Sequence, residues 1–169
     1  MKVSRCIPIF KSGDSSDLDN YRGVVMINTF SKVIEKIASE RLLAFLDSNK
    51  FFSDLQFGFR KRTSTVHALT AILNTISSKL NENKHVLTVL IDIKKCFDVL
   101  NRDILFKKME NCGIRGHCLE WFRSYFENRR QRVFVNGVSS TTSCDILYGV
   151  LQGSVLGVLL FLIYINDLP

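Results

Sequence analysis

Apolar residues recur along this chain at spacings that alternate between helical and extended. Phe30, Val33, Ile34, Ile37, Leu42 and Phe45 repeat at helical spacing behind Asn28 or Thr29, either of which can cap a helix. The spacing predicts a helix ending near Asp47 to Lys50, with Lys32, Glu35, Lys36, Glu40 and Arg41 on its polar face. Val66, Leu69, Leu73, Ile76 and Leu80 form a second helical stripe behind a Thr/Ser cap. From His85 to Ile93 nearly every residue is apolar or β-branched, the pattern of a strand buried on both faces. Asn101 or Asp103 can cap a short helix through Leu105, Phe106 and Met109, stopped at Gly113. A further helix carries Leu119, Trp121, Phe122, Tyr125 and Phe126. Arg129 to Val135 then reads as a basic strand entering a hairpin at Asn136-Gly137, with Ser143 to Tyr148 returning. Ser154 can cap the apolar helix that closes the chain. Residues 11–20 are dense in turn formers and read as a loop; Asp14, Asp17 and Asp19 lack the spacing of a calcium loop.

One polar residue breaks the extended run. Asp92 stands inside it, and a buried carboxylate costs several kcal/mol unless it is paired or bound to a metal. Either a cation is held there, or Asp92 sits at a frayed strand end bonded to nearby backbone.

Composition narrows the function. The chain has 169 residues, enough for one domain with a real core. A formal charge of +7 and a pI near 9.3 favour a polyanionic partner, with nucleic acid first. The 5 cysteines are odd in number and contain no C-x-x-C, which suggests reduced intracellular thiols. Cys112, His117 and Cys118 lack a second pair to complete a zinc site. No signal peptide opens the chain, and the apolar run Val155 to Ile165 falls short of the roughly 20 residues a membrane span needs. An intracellular protein, nuclear or cytoplasmic and not secreted, is expected, with no membrane contact and no obligate protein partner.

Basic clusters supply candidate contacts. Arg60-Lys61-Arg62 lies beside Gly58 and ahead of a helix start, where guanidinium forks and backbone N–H groups can hold phosphate. A solvated basic turn is the plainer alternative. Arg129, Arg130 and Arg132 form either a template-facing edge or simple edge-strand protection. Gly149 to Gly157 is glycine-rich enough to let a ligand approach the backbone, or it is a plain turn into a buried helix.

Taken together, the blocks Ile7–Asp14, Asn20-Tyr21-Arg22, Gln56–Arg60, Ile91–Asp98, Gly149–Gly157 and Phe161–Pro169 resemble reverse transcriptases, nearest in type to non-LTR (LINE-like) retrotransposons. The resemblance covers essentially the whole chain. It implies an α+β fold: an incomplete right-hand polymerase, with residues 1–84 mainly fingers and 85–169 mainly palm, the palm sheet starting at the Asp92 strand. It implies an RNA template, a DNA primer and a dNTP as partners, and two Mg2+ ions as cofactor. Asp92 matches the first catalytic carboxylate, a ligand to both ions, with the carbonyl of Ile93 a further ligand. Phe97 matches a steric gate under the sugar, excluding a 2′-OH. Gln152 and Gly153 match residues packing against nucleotide and template, and Arg60, with Arg62, those holding the triphosphate. Asp98 and Arg22 match supporting positions.

Departures from the family pattern are also legible. Gly23, Leu151 and Val158 stand where the family usually has proline, which loosens each loop by about 0.4–1 kcal/mol. Lys94 and Cys96 replace smaller residues. The second acidic motif, an aromatic and a small residue before paired aspartates, is absent; no Asp-Asp pair occurs in the 169 residues. Two metals about 3.5–4 Å apart need more carboxylate than Asp92 offers. The expectation is an N-terminal fragment that does not polymerise alone, or a degenerate relic acting as an RNA or RNA–DNA hybrid binding module, with an exposed apolar edge beside Asp92 and poor solubility.

Overall fold

Every predicted helix forms, and four start on a side chain that accepts from the first turn. In the computed structural model, which describes residues 2–151 and 153–168, Asn28 accepts from Phe30 N–H to open α1 (Thr29–Ser48). Ser64 accepts from His67 N–H at α2 (Thr65–Asn81), and Asn101 from the Asp103 and Ile104 N–H groups at α3 (Arg102–Asn111). α4 (His117–Phe126) follows Gly116, which has no side chain to cap with. Ser154 accepts from Gly157 N–H to start α5 (Val155–Ile165). Each such cap satisfies a donor the helix cannot, worth about 1 kcal/mol.

The sheet was only half legible. Its order is β2-β1-β3-β4, with β5 also on β3, where β1 is Val3–Phe10, β2 Tyr21–Met26, β3 Arg130–Val135, β4 Val138–Ser139 and β5 Cys144–Asp145. The sequence reading placed no strand at residues 3–10 or 21–26, and Pro8 is unusual in a central strand. β1 is nonetheless central, antiparallel to β2 and parallel to β3. Its ladder to β3 ends at Cys6–Val133, so Pro8 lies beyond it. Gly23, one of the departures, pairs with Pro8, and any Cβ there would lie 2.8 Å from Cys6 Sγ. The Asn136-Gly137 turn forms as expected, both residues at positive φ. Of the returning segment only Cys144–Asp145 pairs with β3.

α5 is the hub of the core. Leu156, Leu160 and Ile163 are fully enclosed, against Leu46 of α1 and Leu105 and Met109 of α3. Burial of each such side chain contributes about 1.5–3 kcal/mol. At its far end Asn166 accepts from Ser53 N–H (3.0 Å) and donates to the Phe51 carbonyl (2.8 Å), pinning the chain that leaves α1.

Three sequence expectations are corrected. The run from His85 to Ile93 is not a strand: it joins no sheet among the described residues, and Leu90 is 91% and Ile91 86% exposed. No strand among the described residues lies beside it, and a lone segment has no ladder to form. The sheet therefore does not start at Asp92; it is built from residues 3–10, 21–26 and 130–145. Second, α1 buries Ser31, Glu35, Leu42 and Leu46, while Phe30 stays 74% exposed, with Val33 and Ile37 also exposed. The helix turns the face that meets α5 inward, and Glu35 lies on that face. Third, α2 has its predicted stripe, yet none of its residues is buried. The result is a mixed α/β architecture of helices around α5 with a small sheet, compatible with part of a reverse transcriptase domain.

Candidate functional site

The turn before α5 and the loop holding Phe97 are built against each other. Val150 N–H donates to the Phe97 carbonyl and Gly149 N–H to that of Leu100, each at 2.8 Å. Gly149 has φ +73°, and a Cβ there would stand 2.6 Å from the Phe97 oxygen and 2.7 Å from that of Asp98. Only glycine permits so close an approach. Gly153, at φ +93°, ends the turn, with the Val25 carbonyl 3.1 Å from any Cβ it could carry. Gln152 lies outside the described residues.

The Phe97 ring joins this turn to the basic loop. It packs against Phe161 of α5 at 4.4 Å between centroids and edge-on to Phe59 at 6.1 Å. Phe59, Arg60, Lys61 and Arg62 line a cleft of about 560 Å³ with Phe52, Val155 and Leu159. Arg60 is held: its guanidinium donates to the Ser53 carbonyl (2.8 Å) and lies 5.3 Å over the Phe52 ring. Thr63 Oγ1 donates to the Phe57 carbonyl (2.6 Å), folding the loop back before Ser64 caps α2. Arg62 is exposed at φ +65°. So Phe97, the glycine turn and the Arg60–Arg62 loop, far apart in sequence, meet around α5.

A buried polar network under the turn escaped the sequence reading. Glu35 is 1% exposed, accepting from Tyr125 Oη at Oε1 (2.8 Å) and from Ser154 Oγ at Oε2 (2.7 Å). Burial, and then the negative Glu35 beside it, push the Tyr125 phenol well above its ordinary pKa. Arg102, which the sequence reading also passed over, donates to the carbonyls of Ile146 (2.7 Å), Tyr148 (3.1 Å) and Gly149 (3.2 Å), bracing the approach to the turn. Burial first, and Arg129 second, lower its pKa to about 10, which still leaves it charged at neutral pH. The one available signal for Glu35 was an acid four residues from Ser31 and seven from Leu42, on the stripe that proves to be buried.

The remaining predicted residues fall in two groups. Asp92 and Ile93 lie in the exposed segment, and Asp92 makes no hydrogen bond or ion pair with a described residue. Asp98 is exposed, follows Phe97 and lines a second cleft, of about 340 Å³, with Cys6, Gly23 and Val150. Arg22 is exposed on β2, opposite Ile9. Arg129 is not on the edge: it is 7% exposed, lies 4.1 Å over the Tyr125 ring and donates to the Tyr125 carbonyl. Arg130 pairs with Asp145 at 2.8 Å, and both Arg130 and Arg132 are exposed on β3. Among the described residues no group of three His, Cys, Asp or Glu side chains converges as metal ligands. The donors present therefore do not fit a magnesium pair, which needs several oxygens in near-octahedral order. No helix among the described residues is long and apolar enough to cross a membrane.

The chain is similar in sequence to known proteins. Residues 9–169 match the family described as reverse transcriptase (RNA-dependent DNA polymerase). The chain is 29% identical over 170 residues to the RNA-directed DNA polymerase from mobile element jockey of Drosophila melanogaster, covering 99% of this chain and 18% of that protein. It is 30% identical over 169 residues to the probable RNA-directed DNA polymerase from transposon BS of the same fly, again 99% and 18%. The corresponding protein from transposon X-element is 29% identical over 150 residues, 89% of this chain and 16% of that one. The chain thus spans under a fifth of the length of these relatives.

Proposed function

The chain belongs to the reverse transcriptase family, of the type carried by non-LTR retrotransposons, and from that premise we propose that it is the part of an RNA-directed DNA polymerase that grips the incoming nucleotide and the template. The observation that carries this reading is the meeting of Phe97, the Gly149–Gly153 turn and the Arg60–Arg62 loop around the start of α5. In this reading residues 1–84 serve mainly as fingers and 85–169 mainly as palm. Lys61, Arg62 and the α2 N-terminus face the triphosphate, with Arg60 holding their loop in shape and adding its own charge. The Phe97 ring, backed by Phe161, stands where a 2′-OH would have to fit, so deoxynucleotides are preferred. The bare backbone at Gly149 and Gly153, with Gln152 between, lets base and template approach closely. Arg130 and Arg132 lie on the RNA template or RNA–DNA hybrid backbone. Asp98 and Arg22 support this surface.

Asp92, in its exposed segment, and the Ile93 carbonyl would supply one side of a magnesium site, where the metal would lend positive charge to the transferred phosphate. The described residues do not assemble the rest. That exposure favours a second reading, in which these 169 residues act as an RNA or RNA–DNA hybrid binding module without catalysis. Anisotropy titration of a labelled RNA–DNA hybrid should show binding that weakens steeply with salt, while primer extension with dNTPs and magnesium yields no product. Salt-insensitive or absent binding would sink both readings; template-dependent product would remove the second.

A further inference from the structure

We propose that Glu35 is a positioning residue: its buried carboxylate fixes Ser154, and through it the glycine turn that faces Phe97. Packing α1 on α5 needs only apolar side chains, and enclosing a carboxylate is costly. The chain places one there and uses both oxygens, Oε1 by Tyr125 and Oε2 by Ser154. Ser154 Oγ has a single proton. Given to Glu35, it leaves the oxygen's lone pairs for Gly157 N–H at 3.0 Å, which is the cap of α5. Ser154 N–H in turn donates to the Leu151 carbonyl at 3.0 Å, so the same residue closes the turn. Tyr125 is held from behind by Arg129, whose guanidinium lies 4.1 Å over its ring. Thus α1, α4 and the start of α5 are locked at one point directly under Gly153. The consequence for nucleotide binding rests on the function proposed above; the positioning itself does not.

Substitution separates a local lock from general packing. Glu35→Leu removes the acceptor of both hydroxyls; one can turn to the other, 3.1 Å away, but the second proton then has no acceptor in the network. Glu35→Gln can rebuild the ring: Tyr125 donates to its carbonyl, its amide donates to Ser154, and Ser154 turns its proton to Tyr125 Oη, 3.1 Å away. Hydrogen–deuterium exchange of the whole chain, resolved by peptide, reads the outcome. Glu35→Leu should speed exchange of residues 153–157 by about tenfold relative to its effect on α3, while Glu35→Gln stays within about twofold of the parent. Should Glu35→Leu not fold, Tyr125→Phe gives the same local pattern at about threefold. Equal acceleration in α3, or no change at 153–157, overturns the proposal. Titration with dATP and magnesium is run alongside: the parent should bind, and Glu35→Leu should bind about tenfold more weakly. A parent that binds no dATP overturns the nucleotide reading alone, leaving the exchange comparison to decide the lock.

Discussion

Gly149 and Phe97 are in such close apposition that the carbonyl oxygen of one occupies the space of the missing side chain of the other, 2.6 Å from where a Cβ would be. The contact ties the loop after the Asp92 segment to the turn before α5, which is what brings Phe97 and Gly153 into one site. Gly149→Ala adds both the clash and the strain of φ +73°. A loss of about 3 kcal/mol or more is expected, read as a lowered urea midpoint with an unchanged slope.

Gly23 and Cys6 form a second tight pair, with 2.8 Å between Sγ and any Cβ at position 23. Alanine in a strand is ordinarily preferred to glycine. Gly23→Ala should nonetheless destabilise by about 1–2 kcal/mol, and by less than about 0.5 when Cys6→Ala has cleared the space. A double-mutant cycle measured by denaturant unfolding gives the coupling directly; additive values would refute the steric account.

Tyr125 predicts a pH dependence. Its pKa is raised in the folded state, above an unfolded value of about 10. Below that value both states are protonated and nothing changes. Above it the unfolded chain releases the proton first, so the native state holds more protons and stability falls as pH rises. Unfolding free energy measured from pH 8 to 11 should decline less steeply in Tyr125→Phe than in the parent.

The arginines of the β3 region divide by burial. Arg132→Ala, on the surface, should weaken RNA–DNA hybrid binding and reduce the slope of log affinity against log salt by about 1, with an unchanged melting temperature. Arg129→Ala should lower the melting temperature instead, since it removes the support under Tyr125. Equal salt slopes for the two variants would contradict the division.

The exposed run around Leu90 and Ile91 is an association hazard. Leu90→Glu should raise the monomeric fraction in size-exclusion chromatography and lower dye binding to apolar surface, with no loss in thermal stability. A fall in stability would mean that the side chain is packed after all.

What the sequence determined by itself was local or family-wide. Asn28 or Thr29, the Thr/Ser start of α2, Asn101 or Asp103, and Ser154 announced their helices because a cap acts on N–H groups within three residues, and the structure selects Asn28, Ser64 and Asn101. Asn136-Gly137 announced its turn because both positions need positive φ. The ordered motifs announced the reverse transcriptase family. Only the tertiary structure decided which surfaces those elements cover. Periodicity placed Phe30 inward and Glu35 outward, yet of that predicted stripe only Leu42 is buried, and Tyr125 and Ser154 satisfy the Glu35 carboxylate inside. The greasy run at Asp92 implied burial, but burial requires something to lie against it, and no described element does. Arg129 read as a surface charge and lies inside over an aromatic ring. A cap or a turn is satisfied within a few residues of chain, whereas burial is a relation between distant segments, and hydrophobicity alone does not name the partner.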